Sequence, residues 1–346
     1  MKYFIIFAAL LLWGGCANIV PPSGGPKDNE TPTLISSISE YKEDNSEKKI
    51  VLKFNEKIAE HFFTRNLYSS PPLNEITHSV HGNELSITIN DNILFDVKYI
   101  ISLSNCIKDI TEGNILNKLD YVISARDTTI NFYNLKVRTE NSLTKQAEEN
   151  HWVLLYDIAI PDSLIFKNNP SYVSKTNQDG LANFNNLKNG KYKIISLSGE
   201  DYVYNVNDII SFSNNIIISG QDTIVKLFTF DPLYKMDSAR TANDTTTNNG
   251  GNLTIKSDFK GNMIVQLTKE NKVYTEEFFE KTTTATLKNI PKGEYNLRFF
   301  YDKNSNLVWD TGSWEEKRQP EEMHYYVEKI TIRENWDLEL EWVIQE

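Results

Sequence analysis

Apolar residues recur at every second position along short runs of this chain, and turn residues separate the runs. Ile50, Leu52 and Phe54 alternate with polar neighbours. The same alternation returns in Leu85, Ile87 and Ile89, and again in Val97, Tyr99, Ile101 and Leu103. Proline or glycine stands between these runs at residues 71–72, 82–83 and 113–114. Because successive side chains of a strand point to opposite faces, the pattern predicts short antiparallel strands with one buried face.

A repeated pattern predicts two related β domains in the rest of the chain. Asp179 and Gly180 form a hairpin signal, since both positions accept the turn's positive φ. Five positions after them recur 103 residues later: Phe184, Leu187, Gly190, Tyr192 and Ile194 return as Leu287, Ile290, Gly293, Tyr295 and Leu297. The last alternating run predicts a half-buried strand, with one apolar face made of Trp336, Leu338, Leu340, Trp342 and Ile344.

The N-terminal residues predict an export signal. Lys2 precedes an apolar run at residues 3–13, and Gly14 and Gly15 stand directly before Cys16. The run is shorter than the ~20 residues of a membrane-spanning helix, which disfavours an uncleaved signal anchor. The segment resembles bacterial lipoprotein signals, although Trp13 stands where those signals usually have leucine. The resemblance implies cleavage before Cys16 and lipidation of the Cys16 thiol, which would anchor the protein to a membrane.

Two resemblances set the expected domain order. Residues 31–32, 54–58, 70–73 and 108–114 resemble a bacterial Ig-like domain of the SbsA type. Residues 176–194 and their later copy resemble transthyretin-like sandwiches of the carboxypeptidase-regulatory or Cna-B type. We therefore expect an all-β chain of tandem β-sandwiches. Its predicted parts are a signal peptide (1–15), a lipidated spacer (16–29), an Ig-like domain (30–127), a transthyretin-like domain (128–235), a linker (236–252) and a second transthyretin-like domain (253–346).

Composition narrows the partners and the chemistry. The 346 residues carry a formal net charge of −11 and show no basic stripe along the sequence, so nucleic acid is not expected as a partner. The chain has two cysteines. With Cys16 acylated, Cys106 is left without a disulfide partner, and its strand-like surroundings predict a buried apolar role.

The best candidate site is the loop at residues 302–310, which we call the acidic loop. Asp302, Asn304, Asn306 and Asp310 place oxygen side chains at positions 1, 3, 5 and 9, as a Ca²⁺ loop does. However, Leu307 replaces the glycine of that pattern and Ser313 replaces its bidentate glutamate. A weak structural Ca²⁺ is one reading, and a loop held by its own Asx turns is the favoured one. No other cofactor is expected.

No catalytic motif points to an enzyme. The sequence has no nucleophile elbow, zinc-binding helix or phosphate-binding glycine loop. His78 and His81 are three residues apart, which puts them on opposite faces of a strand. Four aromatic residues cluster near the acidic loop: Trp309, Trp314, Tyr325 and Tyr326. They would stack on sugar rings if exposed, but the favoured reading is that they fill a core. Residues 315–322 read as a charged surface loop.

The sequence therefore predicts a non-enzymatic, lipid-anchored protein of the cell envelope with a structural or interaction role. It resembles the Ig-like-domain lipoproteins of Bacteroidota, which implies envelope proteins or glycans as partners. The alternative is a carbohydrate-binding lipoprotein of an outer-membrane glycan-uptake system. Residues 17–20 lack the acidic cluster that resembles surface-export signals, so we expect the periplasmic face of the outer membrane.

Overall fold

The computed structural model describes residues 27–41, 48–94, 96–123, 129–221, 223–235, 249–257, 261–270 and 272–343. The predicted signal peptide, Cys16, most of the spacer, most of the linker and Ile344 lie outside these residues. The regular secondary structure of the described residues is nearly all strand, and the all-β prediction of tandem sandwiches is confirmed. No helix among the described residues has the length and apolar character needed to cross a membrane. We call residues 27–123 the first unit, 129–235 the second unit and 249–343 the third unit.

The described residues of the first unit form nine strands. They are β1 (Leu34–Tyr41), β2 (Lys48–Phe54), β3 (Ile58–Glu60), β4 (Tyr68–Ser70), β5 (Ile76–His81), β6 (Glu84–Ile89), β7 (Tyr99–Ser102), β8 (Ile107–Asp109) and β9 (Asp120–Ile123), with one helical turn, α1 (Phe63–Asn66), after β3. The sheets run β1-β2-β6-β5, β4-β7-β9 and β3-β8. The alternating apolar residues predicted from the sequence meet in one core between the sheets. Cys106 belongs to that core, as predicted.

The second and third units contain the remaining strands. The second unit has β10 (Tyr133–Asn141), β11 (Trp152–Asp157), β12 (Tyr172–Lys175), β13 (Leu181–Leu187), β14 (Lys191–Leu197), β15 (Ile210–Phe212), β16 (Ile217–Ile218) and β17 (Ile224–Thr229), with a 3₁₀ helix at Asp162–Lys167. The third unit has β18 (Gly251–Lys256), β19 (Met263–Lys269), β20 (Lys272–Phe279), β21 (Thr284–Ile290), β22 (Gly293–Tyr301), β23 (Met323–Tyr325), β24 (Ile330–Ile332) and β25 (Asp337–Glu341).

These two units share one topology. A three-stranded sheet runs β13-β10-β17 in the second unit and β21-β18-β25 in the third. In each, the first strand pairs in parallel with the last strand of the unit. A larger sheet runs β12-β11-β14-β15 in one and β20-β19-β22-β23 in the other, and one further short strand pairs β14 or β22. The 103-residue sequence repeat thus corresponds to a repeated arrangement of strands.

The repeated glycine and tyrosine have the same structural role in both units. Each tyrosine folds back over the glycine two residues before it, so that a Cβ at Gly190 would come 3.0 Å from the Tyr192 hydroxyl. The Tyr192 hydroxyl donates to the carbonyl of Lys188 at 3.0 Å, and the Tyr295 hydroxyl donates to the carbonyl of Pro291 at 3.1 Å. Both rings are buried in the core of their unit. The motif therefore closes the same turn in both copies.

The third unit begins earlier than the linker prediction places it. Gly251 and Asn252 already belong to β18, where they pair with Ile290 and Asp337. A Cβ at Gly251 would overlap the carbonyl oxygen of Arg333. This glycine is therefore part of a close backbone crossing rather than a flexible spacer. The other predicted domain bounds stay predictions.

Candidate functional site

The acidic loop brings its four predicted residues together. It follows β22, and Asp302 is only 2% exposed. The Asp302 carboxylate accepts the backbone N–H groups of Asn306 at 3.1 Å and Leu307 at 2.9 Å. The side-chain amides of Asn304 and Asn306 both donate to one oxygen of Asp310, at 2.6 and 2.9 Å. The loop thus closes on itself through Asx-type hydrogen bonds.

These hydrogen bonds bear on the calcium prediction. Asn304 and Asn306 turn their amide nitrogens toward Asp310, and their oxygens accept the backbone N–H groups of Asn306 and Val308. A cation would need these oxygens, so both amides would have to rotate first. No group of three or more acidic, histidine or cysteine side chains among the described residues is arranged to hold a metal. Calcium binding stays the less favoured of the two readings, with Asp302, Asn304, Asn306 and Asp310 as its predicted ligands.

Glu321 completes the loop, and the sequence reading missed it. Residues 315–322 were expected as a charged surface loop, but Glu321 is buried. Its carboxylate accepts the backbone N–H groups of Lys303 at 2.8 Å and Asp310 at 3.2 Å. Burial raises the pKa of Glu321. Its sequence neighbours are acidic and basic, so nothing local distinguished Glu321 from an exposed glutamate.

The aromatic residues near this loop do not form an open stacking platform. Trp309 is buried, and its indole N–H donates to the carbonyl of Glu321 at 2.9 Å. Trp314 packs between Phe166 and Phe212 of the second unit, with ring centroids 5.2 Å away in both cases. Tyr325 remains partly exposed. The core-filling role is confirmed for Trp309, whereas Trp314 is half-buried and packs against the neighbouring unit.

Trp314 belongs to a segment that joins the third unit to the second. We call residues 311–319 the docking segment. Thr311 donates to the carbonyl of Asp231 at 2.7 Å, and Gln319 donates to the carbonyl of Phe212 at 3.0 Å. Lys317 forms an ion pair with Asp162 at 3.2 Å. Gly312 lies against Phe230 so closely that a Cβ would overlap the ring.

A similar joint fastens the second unit to the first. The amide of Asn186, which is fully buried, donates to the carbonyls of Ser70 at 2.5 Å and Lys98 at 3.0 Å. The side chains of Lys188 and Asp96 pair at 2.5 Å. The rings of Tyr68 and Trp152 meet edge to face, with centroids 5.2 Å apart.

Both joints meet on one apolar surface of the second unit, which we call the shared cluster. It lies on the sheet β12-β11-β14-β15 and its 3₁₀ helix, and comprises Trp152, Leu154, Tyr156, Ile165, Val173, Ile195, Leu197, Ile210, Phe212 and Phe230. Tyr68 of the first unit and Trp314 of the third unit both pack against it. Strand β11 is consequently buried on both faces. One cluster thus links all three units.

The remaining predicted residues lie apart from these joints. His78 stacks on Phe63 with ring centroids 3.7 Å apart, whereas His81 is exposed at the end of β5. They point to opposite faces of the strand, as expected from their spacing. Burial raises the pKa of the Cys106 thiol to about 12, which keeps it protonated and unreactive.

Several solved structures are distantly similar to this chain. Fervidolysin from Fervidobacterium pennivorans, a keratinolytic enzyme related to subtilisin, is 12% identical; the match covers 52% of this chain and 26% of that chain, with a TM-score of 0.23. The pilus 2b backbone protein of group B streptococcus is 11% identical, covering 57% and 96%, with a TM-score of 0.18. A DUF3823 family protein from Parabacteroides merdae is 12% identical, covering 59% and 99%, with a TM-score of 0.20.

These likenesses are too weak to carry a functional argument. This chain spans about a quarter of the fervidolysin chain. No curated protein matches the sequence. The sequence itself supplies the firmer result: residues 28–131, which cover β1 to β9, match the family model of the bacterial Ig-like domain.

Proposed function

We propose that this chain is a non-enzymatic, lipid-anchored protein of the cell envelope that acts as a spacer and interaction scaffold. The Ig-like match over residues 28–131 supports a structural or adhesive role for the first unit. The lipoprotein-like sequence before Cys16 supports the anchor. In this proposal the first unit is of the SbsA type and the next two are of the transthyretin-like or Cna-B type, in a bacterium of the Bacteroidota.

The shared cluster is the observation that carries this proposal. Tyr68 and Trp314 approach it from different units, and Asn186 adds a buried hydrogen-bonded contact between the first two units. Relative motion of the units would expose these apolar rings and leave the amide of Asn186 without its partners. The units therefore hold a fixed arrangement, which lets a lipid-anchored chain present a surface at a constant distance from the membrane.

The anchor is tested with labelled lipid in intact cells. The original chain should incorporate labelled fatty acid, and Cys16→Ser should incorporate none, because the thiol is the acylated group. Cys106→Ser is the control and should label normally, since Cys106 is buried in the first unit. Incorporation that survives Cys16→Ser would contradict the proposal. Protease treatment of whole cells tests the periplasmic location: a chain that is cleaved in intact cells would place it on the cell surface instead.

The structure leaves fewer aromatic residues for the glycan-uptake alternative than the sequence suggested. The alternative relied on four aromatic residues, of which Trp309 is buried and Trp314 is half-buried against the second unit. Tyr325 and Tyr326 remain, and both border a cavity between the second and third units. That cavity, rather than an open row of tryptophans, is the place where a sugar could bind.

A further inference from the structure

A cavity of about 570 Å³ opens where the second and third units meet. Its volume falls in the range of pockets that hold small ligands. The second unit contributes Lys145, Lys226 and Phe228 to its walls, and the third unit contributes His324, Tyr326 and Trp342. None of these six residues belongs to the acidic loop or to the shared cluster, so neither feature accounts for the cavity.

Lys145 occupies a costly backbone position at this cavity. It lies in the turn after β10, where its N–H donates to the carbonyl of Asn141 at 2.9 Å. Its φ of 59° is in the left-handed region, which glycine and asparagine accept far more easily than lysine. Residues held in such conformations cluster at binding sites.

The ammonium group of Lys145 lacks a close acceptor. It lies 4.7 Å from the centroid of the Phe228 ring, and the Glu322 carboxylate is 3.9 Å away, beyond hydrogen-bonding distance. The side chain is only 28% exposed, and burial lowers the pKa of Lys145. No hydrogen bond from this ammonium is formed among the described residues. A partly buried cation in this state is ready to receive an anionic group.

Further cations extend from the cavity along the outer face of the sheet β13-β10-β17. Lys136 and Arg138 lie two residues apart on β10, which puts them on one face about 6.6 Å apart. Arg138 is the register partner of Lys226 on β17. The buried carboxylate of Glu140 pairs with Arg138 at 2.8 Å and with Lys226 at 2.9 Å.

This face is locally positive in a chain with a net charge of −11. Its four cations, including Lys145, outnumber the three carboxylates that pair with them or line the cavity, those of Glu140, Glu322 and Glu341. The charge therefore favours an anionic ligand, and its extension along two strands favours a linear one.

The other walls of the cavity could contact a ligand ring that has apolar faces and polar substituents. Phe228, Tyr326 and Trp342 provide aromatic surface, and Val327 and Val343 are exposed at the rim. The His324 ring stacks on Phe299, with centroids 4.7 Å apart, and its buried Nε2 has no hydrogen-bond partner among the described residues. The Nε2 atom of His324 lies 3.9 Å from the Glu322 carboxylate, beyond hydrogen-bonding distance. An aromatic wall beside this nitrogen fits the ring face and a hydroxyl group of a sugar.

We propose that the cavity binds an acidic polysaccharide, with the carboxylate of one sugar on Lys145 and further carboxylates along Lys226 and Arg138. A peptide strand would pair through the backbone at a sheet edge, whereas these cations lie on a sheet face. Nucleic acid is disfavoured because the rest of the chain is acidic. The inference uses the proposed function only to place the protein where it would meet such a polymer.

The test measures binding of polygalacturonic acid to the purified whole chain by calorimetry. Methyl-esterified polygalacturonic acid keeps the sugars but removes the charge, and poly-glutamate keeps the charge but removes the sugars. We expect the acid polymer to bind at least about tenfold more tightly than either control, because both Lys145 and the aromatic walls contribute.

One variant separates binding from folding. Lys145→Asn removes the charge but suits the left-handed backbone, so it should weaken polygalacturonate binding about tenfold or more while the melting temperature stays equal or rises. Lys49→Gln, an exposed lysine on β2 of the first unit, should change neither. Unchanged binding by Lys145→Asn, or equal binding of either control polymer, would overturn the inference. Lipid labelling at Cys16 is independent of these results, so the two proposals fail separately.

Discussion

The second and third units have the same strand order but cover the outer face of their larger sheet differently. In the second unit that face carries the shared cluster, which is covered in part by Tyr68 and Trp314 from the neighbouring units. In the third unit the equivalent face holds Ile264, Phe300 and Met323, and the unit's own Trp309 packs against them. The second unit therefore depends on its neighbours for burial, whereas the third largely supplies its own cover.

The segments after the equivalent strands β14 and β22 show how this difference arises. In the second unit residues 198–209 connect to β15, and Glu200 reaches Arg65 of the first unit at 3.2 Å. In the third unit residues 302–322 connect to β23, and this longer segment holds both the acidic loop and the docking segment. Each copy thus reaches back to the unit before it with the same connection. The longer connection of the third unit also carries the docking segment, which the shorter one has no room for.

The largest loss of stability is expected from a variant that breaks the joint between the first and second units. Asn186→Asp keeps the shape of the side chain but places a carboxylate against the carbonyls of Ser70 and Lys98. A buried charge facing two acceptors should lower the free energy of unfolding by about 3–5 kcal/mol, measured by urea denaturation. Because protonation removes that charge, the loss should shrink as the pH falls.

The repeat supplies the matched control. Asn289 is the equivalent of Asn186 in the third unit, and its side chain is exposed. Asn289→Asp should change the free energy of unfolding by less than about 0.5 kcal/mol, and aspartate tolerates the positive φ at this position. Equal losses from the two variants would show that Asn186 has no special role at the joint.

A smaller effect is expected at the joint between the second and third units. Trp314→Ala removes a half-buried ring from between Phe166 and Phe212 and should cost about 2–3 kcal/mol in urea denaturation. Trp336 is 58% exposed, so Trp336→Ala should cost far less. Similar costs for both tryptophans would contradict the assigned role of the docking segment.

The strands and the repeat could be predicted from the sequence, whereas the joints between the units could not. Alternating apolar runs and the Gly-x-Tyr repeat are local patterns, so the strands and the duplicated unit were readable. The joints depend on contacts across the chain, and Asn186 and Asn289 are the same residue in the same repeat position with opposite exposure. One signal was available: Trp152 to Tyr156 is continuously apolar rather than alternating, which is typical of a strand buried on both faces.

The candidate sites also divide into a part that local sequence predicts and a part that depends on distant contacts. The Asx-turn reading of residues 302–310 followed from side chains spaced along one loop. Glu321 and Lys145 were missed because burial by distant segments, rather than residue type, gives them their properties.

A still smaller effect compares the two tyrosine turns. Tyr192→Phe and Tyr295→Phe each remove one hydrogen bond to a backbone carbonyl and leave the ring in place. Each should cost about 1 kcal/mol in urea denaturation, since the same geometry recurs in both units. A loss confined to one variant would contradict their equivalence.

The smallest expected effect is that of added Ca²⁺ on the acidic loop. Added Ca²⁺ should leave the melting temperature of the original chain unchanged, because the loop oxygens already accept hydrogen bonds. Asp302→Ala should melt at a lower temperature both with and without the ion, since two backbone N–H groups lose their acceptor. A Ca²⁺-dependent rise that disappears in Asp302→Ala would instead support the predicted metal site.

The most direct test of the account measures the distance between the first and third units. Labels at Lys49→Cys and Lys269→Cys, in a chain carrying Cys16→Ser, would report it by pulsed electron resonance. Cys106 needs no replacement, because its thiol is buried and protonated. The shared cluster predicts one narrow distance distribution, which Asn186→Asp or Trp314→Ala should broaden. A distribution that is already broad in the otherwise unaltered chain would contradict a fixed arrangement of the three units.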